Sequence, residues 1–185
     1  MTTLKHALAA DRPARLTIIG VVGFAAAVAA ASQIAIPLPF TPVPITLQPM
    51  LVVLAGLWLG PAAGAASMAL YLAAGAAGLP VFTPIGAPGI ARLFGPTGGY
   101  LIAYPVAAFV AGLVASRVTS LAGRWLAATA GMVVIYAGGI AQLTILDGSV
   151  VGAVALGLTP FAALDLVKAF VAAAISEPRI TRRPG

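Results

Sequence analysis

The chain has 185 residues, of which 61% are hydrophobic and only 8% are charged. Ordinary soluble domains are about one quarter charged, so this composition excludes a surface that faces water throughout and predicts an integral membrane protein. The absence of cysteine excludes disulfides, thiolate nucleophiles and cysteine-based metal sites. The single histidine, His6, lies in the polar N-terminal segment, where solvation is the simpler interpretation than metal ligation. We therefore expect no metal site.

Six transmembrane helices are predicted when the apolar sequence is divided at its glycines and prolines. A helix needs about 20 residues to cross about 30 Å of hydrocarbon, so six crossings use nearly the whole chain. The predicted spans cover about residues 16–34, 47–59, 62–79, 98–115, 125–146 and 150–176. We expect an all-α, six-helix bundle that forms a single membrane domain over residues 1–185, without a soluble catalytic domain.

The basic residues indicate how these spans are oriented. Eight of the ten Lys and Arg residues lie in the N-terminal segment, between spans four and five, or at the C-terminus: Lys5, Arg12, Arg15, Arg117, Arg124, Arg179, Arg182 and Arg183. Cytoplasmic segments of membrane proteins are enriched in these residues. The sequence therefore predicts a multi-pass protein of the cytoplasmic (inner) membrane with both termini in the cytoplasm. The net charge of +6 therefore reflects the basic residues of cytoplasmic segments in a protein that contacts membrane lipid, and we expect no binding of nucleic acid.

Asp165 and Lys168 lie three residues apart in the predicted sixth span, and so share one helix face. An ionisable group at the bilayer centre costs about 3 kcal/mol on insertion scales and usually faces a bundle interior or a cavity. One interpretation is a neutralising pair that tolerates burial. The other is a ligand site, because a carboxylate accepts hydrogen bonds from N–H groups and an ammonium donates to a carbonyl.

Arg92 is the one cation that this arrangement assigns to an outward loop. It is interpreted either as a solvated loop residue or as a guanidinium that receives a substrate carboxylate in a bidentate pair. The choice between the two stays open from the sequence.

The segment 37–46 contains four prolines, which exclude it from a helix interior and leave it short of backbone N–H donors. It is either a simple connector or a shaped lid in which Phe40 plugs the site. A second glycine- and proline-containing turn, residues 95–100, lacks the Lys-Ser/Thr that follows a phosphate-binding loop. No such motif occurs elsewhere, so we expect neither ATP binding by that route nor a cofactor.

Small residues recur at four-residue spacing in the first span, where residues 25–31 are Ala-Ala-Ala-Val-Ala-Ala-Ala. Such residues let helices approach closely in lipid. The pairs Ala25/Ala29 and Ala27/Ala31 are therefore docking candidates, either for packing inside the bundle or for a partner surface.

Residues 36–48, Ile-Pro-Leu-Pro-Phe-Thr-Pro-Val-Pro-Ile-Thr-Leu-Gln, resemble the hallmark of the BioY family. Further segments resemble that family in the same order along residues 20 to 175: Leu70-Tyr71-Leu72 with Gly78-Leu79-Pro80-Val81-Phe82, Gly95-Pro96-Thr97-Gly98-Gly99-Tyr100, and Asp165 with Lys168. The resemblance implies a six-helix S component of an energy-coupling factor (ECF) transporter that binds biotin near its extracellular side. It also implies a transmembrane coupling subunit, docked by the alanine motif of the first helix, and a pair of ATP-binding-cassette ATPases.

The chemistry of biotin suits the unusual polar residues. Its ureido ring offers two N–H donors and one carbonyl, and its tail ends in a carboxylate. We expect Asp165 to accept from the ureido N–H groups, Lys168 to donate to the ureido carbonyl and Arg92 to bind the carboxylate. The remaining candidates are walls, a lid and one polar contact: Tyr71, Phe40, Phe82, Tyr100 and Gln48.

Three other functional classes compete with this hypothesis. The main alternative is a stand-alone, ion-coupled secondary transporter of biotin or another small vitamin. Such transporters usually have several titratable residues along the ion pathway, and a single Asp–Lys pair provides few. An intramembrane enzyme needs a nucleophile–base set or a metal cluster, and the sequence offers neither. A purely structural subunit leaves the buried pair unexplained.

Overall fold

The computed structural model describes the backbone of residues 2–176 and the side chains of residues 14–176. Arg179, Arg182, Arg183 and the side chains of Lys5, His6 and Arg12 lie outside these ranges. The elements in chain order are α1 (Thr2–Ser32), β1 (Ile36–Leu38), β2 (Thr41–Ile45), α2 (Gln48–Leu59), α3 (Pro61–Ala76), a 3₁₀ helix (Gly89–Phe94), α4 (Gly98–Ala115), α5 (Leu121–Asp147), α6 (Val150–Gly157) and α7 (Ala162–Ile175).

Three helices within the described residues are long and apolar enough to cross a membrane, namely α4, α5 and the Ala14–Ser32 part of α1. Helices α6 and α7 qualify together as a fourth, broken span. Helices α2 and α3 have 12 and 16 residues, and at 1.5 Å per residue they are about 18 and 24 Å long, shorter than the hydrocarbon core. The predicted helical membrane bundle is confirmed, whereas the count of six spans stays a prediction.

Glycine positions set the closest helix crossings of the bundle. Helices α4 and α5 meet at Gly99 and Gly138, where a Cβ on either residue would clash with the carbonyl oxygen of the other. Helix α2 approaches α4 at Gly56, where a Cβ would clash with the carbonyl oxygen of Ala108. Lipid provides no hydrophobic force between helices, so such close van der Waals contact is what holds them together.

The sixth predicted span, residues 150–176, is not one continuous helix. Helix α6 ends at Gly157, helix α7 begins at Ala162, and their axes are bent by 54°. The break contains Pro160. Proline interrupts a helix because it has no N–H to donate and because its ring disfavours the helical conformation of the preceding residue, here Thr159. The break places Asp165 in the first turn of α7.

The proline-rich segment, which the prediction excluded from the helices, forms a short β-hairpin beside the helical bundle. Strands β1 and β2 pair antiparallel, with Ile36 opposite Ile45. Short strands at a sheet edge tolerate proline. Thr41 Oγ1 donates to the carbonyl oxygen of Leu156 at 2.7 Å, which joins the hairpin to α6. We call this end of the bundle, with the hairpin, the 3₁₀ helix and the N-termini of α2 and α4, the hairpin end.

Candidate functional site

A cavity lies between the hairpin and helices α2, α4, α5 and α7. It has two adjoining lobes with empty volumes of about 470 and 340 Å³. Both lobes are lined by the same six residues: Val43, Pro44, Thr46, Pro49, Tyr100 and Ile135. This shared lining makes the two lobes neighbouring parts of one cavity that is partly open to solvent.

The two lobes differ in the side chains that complete them. The first lobe, toward α2 and the 77–97 loop, adds Gln48, Thr83, Thr97, Leu101 and Tyr104. The second lobe, toward α7, adds Ile45, Tyr136, Gly157, Phe161, Asp165 and Lys168. The second lobe alone therefore holds formal charges.

A hydrogen-bonded ion pair lines the second lobe. Lys168 Nζ donates to Asp165 Oδ1 at 2.7 Å and to the carbonyl oxygen of Thr46 at 2.8 Å, and Tyr136 Oη donates to Asp165 Oδ2 at 2.6 Å. Asp165 and Lys168 are each only 6% exposed. Because each carboxylate oxygen has two lone pairs, each can accept a further hydrogen bond. The pair is therefore both a neutral buried pair and a polar cavity wall.

Tyr100 separates the two lobes and lines both of them. Its hydroxyl donates to the carbonyl oxygen of Gly157 at 2.9 Å, and its ring meets Tyr136 edge to face with centroids 6.5 Å apart. Gly139 makes room for this ring, because a Cβ there would clash with it. The predicted wall position of Tyr100 agrees with this arrangement.

Tyr71 and Phe82 lie behind the wall of the first lobe rather than in it. Gln48, which does line the lobe, donates from Nε2 to Tyr71 Oη at 2.7 Å. The Tyr71 ring meets Phe82 edge to face at 5.5 Å and stacks on Tyr104 at 6.4 Å. Tyr71 and Phe82 therefore hold Gln48 and Tyr104 in place.

Arg92 is buried, which excludes the interpretation as a solvated loop residue. It is 6% exposed and donates to the carbonyl oxygens of Thr83 and Ile85. Gly86 makes room for it, since a Cβ there would crowd the guanidinium. Burial lowers the pKa of the guanidinium from its ordinary value, and Tyr71 opposes that shift.

The charge of Arg92 has no carboxylate partner within salt-bridge distance among residues 14–176, and its Nε lacks a hydrogen-bond partner there. The guanidinium lines neither lobe, but it contacts the backbone carbonyl of Thr83, a residue that lines the first lobe. It is therefore an uncompensated buried cation behind the cavity wall.

Phe40 lies at the turn of the hairpin, where it is 59% exposed and lines neither lobe. The structure thus does not bring it together with the other candidate residues. Its function as a plug stays a prediction.

The four alanine candidates of α1 do not form one exposed face. Ala25 and Ala31 are buried inside the bundle and Ala27 and Ala29 are half-buried. Burial favours internal packing for Ala25 and Ala31. Docking of a partner on this helix stays a prediction.

A profile of the BioY family matches residues 5–184. The chain belongs to the BioY family. A relative from Pyrococcus horikoshii, named as a probable biotin transporter BioY, is 43% identical over 74% of this chain and 80% of its own length. The biotin transporter BioY of Thermotoga maritima is 40% identical over 76% of this chain and 83% of its own length. That of Rhodobacter capsulatus is 37% identical over 91% and 94% of the two chains.

A solved structure has the same fold as this BioY-family chain. It is the crystal structure of an S-component for biotin from an ECF-type ABC transporter. The two structures superpose with a TM-score of 0.81 at 28% sequence identity, over 90% of this chain and 91% of the other.

Sequence reasoning missed several residues of this BioY-family cavity. Tyr104 and Tyr136 have no motif around them, and their only signal was a hydroxyl-bearing ring inside an apolar helix. The backbone carbonyl of Thr46 accepts a hydrogen bond from the Lys168 ammonium, and a pattern of side chains cannot reveal such a contact. Thr83 became visible as a wall residue only through the path of the loop.

Proposed function

We propose that this protein captures biotin as the substrate-binding S component of an ECF-type transporter and takes part in its uptake across the cytoplasmic membrane. The observation that carries the proposal is the Asp165–Lys168 pair, which is buried in the wall of the cavity and is already held by Tyr136 and Thr46. Membership of the BioY family supports the same function and argues against an enzyme.

The second lobe suits the ureido ring of biotin. Asp165 keeps acceptor capacity on both oxygens for the two ureido N–H groups, while Lys168 has one ammonium hydrogen left after its two observed bonds. That hydrogen can point at the ureido carbonyl. The thiophane ring then lies against the apolar side chains shared by the lobes, including Val43 and Ile135.

The first lobe suits the valerate tail. Its polar lining, Gln48, Thr83 and Thr97, supplies amide and hydroxyl donors for a carboxylate. Arg92 lies directly behind Thr83 and carries a positive charge without a carboxylate partner among residues 14–176. A biotin carboxylate in this lobe neutralises that charge, either across Thr83 or after the guanidinium turns toward it.

We propose further that the hairpin end faces outward and that both termini are cytoplasmic. The connection between α4 and α5, at the opposite end, exposes Arg117, and Arg124 follows within one turn of α5. Basic residues of this kind favour the cytoplasmic side. The ligand cavity then opens toward the outside of the cell.

Transport requires partners in this proposal: a transmembrane coupling subunit and a pair of ATP-binding-cassette ATPases. The structurally similar S-component comes from an ECF-type ABC transporter, which supports this assignment. Within the described residues the cavity is lined by apolar, hydroxyl, amide and ion-pair groups, and ATP hydrolysis belongs to the partners.

Reconstitution tests the proposal. The protein is placed in liposomes alone, with its coupling subunit and ATPases, and with an ATPase pair whose catalytic glutamates are replaced. We expect biotin binding in all three, and ATP-dependent uptake only with the active ATPases. Uptake by the protein alone that disappears when an ion gradient is collapsed would instead identify a secondary transporter. Failure to bind biotin in any preparation would refute the substrate assignment.

A further inference from the structure

Two loops at the hairpin end, residues 34–47 and 77–97, expose an unusual surface. Their largest exposed side chains are apolar, for example Ile90 at 60% and Phe94 at 73%. The structure describes both loops throughout, and none of their exposed residues has a polar side chain. Arg92 is the only charged residue between positions 34 and 100, and it is buried.

The opposite end of the same bundle has ordinary water-facing chemistry. The connection between α4 and α5 exposes Ser116, Arg117, Thr119 and Ser120. The contrast shows that an exposed surface without polar side chains is not common to all connections of this chain. The exposed apolar surface of the two loops is therefore specific to their location.

Helix lengths give an independent reason for that location. The first loop joins α1 to α2 and the second joins α3 to α4. The candidate span in α1 has 19 residues and α2, α3 and α4 have 12, 16 and 18, so these segments are about 29, 18, 24 and 27 Å long. None of these segments exceeds the hydrocarbon thickness of about 30 Å, so the loops stay near the depth of the lipid boundary. Helix α5 has 27 residues and is about 40 Å long, and its end carries the exposed Asp147 beyond that depth.

Part of the backbone of the second loop is also satisfied by side chains of the protein. Side chains donate to seven carbonyl groups of the second loop: Ser32 to Val81, Gln33 to Pro80 and Phe82, Arg92 to Thr83 and Ile85, and Gln142 to Leu93 and Gly95. Irregular backbone at membrane depth requires such internal partners, because lipid cannot replace water as a donor. Eight prolines in the two loops further reduce the number of N–H groups that need acceptors.

We propose that loops 34–47 and 77–97 are embedded in the lipid leaflet that meets the hairpin end, at the boundary between acyl chains and headgroups. Ile90 and Phe94 insert among the lipids, and the cavity opens between the two loops at this depth. The occupant of the apolar surface is thus membrane lipid, continuous with the lipid that surrounds the helices. The inference does not depend on the identity of the ligand or on which side of the membrane this leaflet lies.

Fluorescence quenching tests this proposal, and the absence of native cysteine simplifies it. Single cysteines replace Ile90, Phe94 and Ala91 in turn, and each is labelled with a small fluorophore in nanodiscs that hold one protein. Ala91→Cys changes the volume of an exposed side chain least and guards against misfolding of the larger replacements. The matched control is Thr119→Cys, exposed on the connection at the other end.

We expect lipids with a shallow nitroxide to quench the labels at positions 90 and 94, and aqueous iodide to quench the label at position 119. The apparent depth of positions 90 and 94 should be about 5–10 Å below the headgroup boundary, as for interfacial helices. Quenching by iodide at positions 90, 91 and 94 equal to that at position 119 would overturn the proposal. Protection from both quenchers would also overturn it, because a protein surface would then cover the loops.

Discussion

The two buried charged centres of this protein are equally hidden from solvent but differ in how their charge is balanced. Asp165 and Lys168 neutralise each other on one helix, with Tyr136 and the Thr46 carbonyl completing the network. Arg92 is held by the carbonyl oxygens of a loop, with no carboxylate near it among residues 14–176. Under the proposed function, the neutral pair faces the neutral ureido ring of biotin and the uncompensated cation faces its anionic carboxylate.

The largest loss of affinity is expected for Asp165→Asn. This change replaces one acceptor oxygen with an NH₂ donor and leaves the other oxygen uncharged. One hydrogen bond to a charged acceptor is lost and the second is weakened, a combined cost of about 3 kcal/mol, so biotin should bind about 100-fold more weakly or worse. Calorimetric titration measures the effect. The control is Asp147→Asn, an exposed carboxylate at the end of α5, which should bind biotin normally.

A double variant separates this loss of binding from loss of folding. Removing one partner of a buried pair typically costs about 3–5 kcal/mol, because the other charge is left alone. Asp165→Asn with Lys168→Met removes both charges, so it should regain much of the lost thermal stability without regaining affinity. Recovery of biotin binding in this double variant would show that the pair only supports the fold.

The next effect concerns Arg92→Gln, titrated with biotin and with uncharged biotin amide. Hydrogen bonds to charged groups contribute about 1.5–3 kcal/mol, so biotin should bind about 10- to 100-fold more weakly while the amide changes little. Arg117→Gln, which changes an exposed arginine at the other end, is the control. An equal loss for both ligands would mean that Arg92 only braces the loop.

A smaller loss is expected for Tyr136→Phe, which removes the donor that orients Asp165 Oδ2. One hydrogen bond of about 1 kcal/mol corresponds to biotin affinity about fivefold lower in the same titration. Thr129→Val is the matched control on α5, because its hydroxyl has no hydrogen-bond partner in the described structure. Equal affinity of Tyr136→Phe and the native protein would show that the Tyr136 hydroxyl does not contribute to biotin binding.

The smallest effect should follow Phe40→Ala. Phe40 is exposed and lines neither lobe, and exposed substitutions usually change free energies by less than about 0.5 kcal/mol, or about twofold in affinity. Stopped-flow measurement of biotin association and release checks both affinity and access. A release rate raised many-fold would instead support the plug predicted from the proline-rich sequence.

The sequence predicted helix boundaries best where glycine and proline residues interrupt the apolar segments. Helices α2 and α4 begin and end within one residue of the predicted 47–59 and 98–115. Their ends coincide with Gly60-Pro61 and with the glycines at positions 98 and 99, where backbone chemistry limits the helix locally. The break after Gly157 was missed because a single proline within a long apolar run is compatible with either a kink or a new helix.

The strongest signals for the candidate site were charges in unexpected places. Asp165 and Lys168 were singled out because a charge at membrane depth is costly, and Arg92 because it is the one cation assigned to an outward loop. Gln48 and Tyr100, which line the cavity, were predicted only through the resemblance to the BioY family. The backbone contacts of Arg92 and Lys168 depend on loops that fold back over the bundle, and local sequence does not specify such paths. The same limitation explains why Tyr71 and Phe82 were expected in the wall and lie behind it.

The most direct test of biotin capture is to identify the small molecule that the purified protein retains. The protein is extracted in detergent from cells that contain a full set of vitamins, washed and denatured, and the released compounds are quantified by mass spectrometry. We expect biotin, at up to one molecule per chain, from the native protein and none from the Asp165→Asn variant. Reproducible release of a different vitamin from the native protein would contradict it.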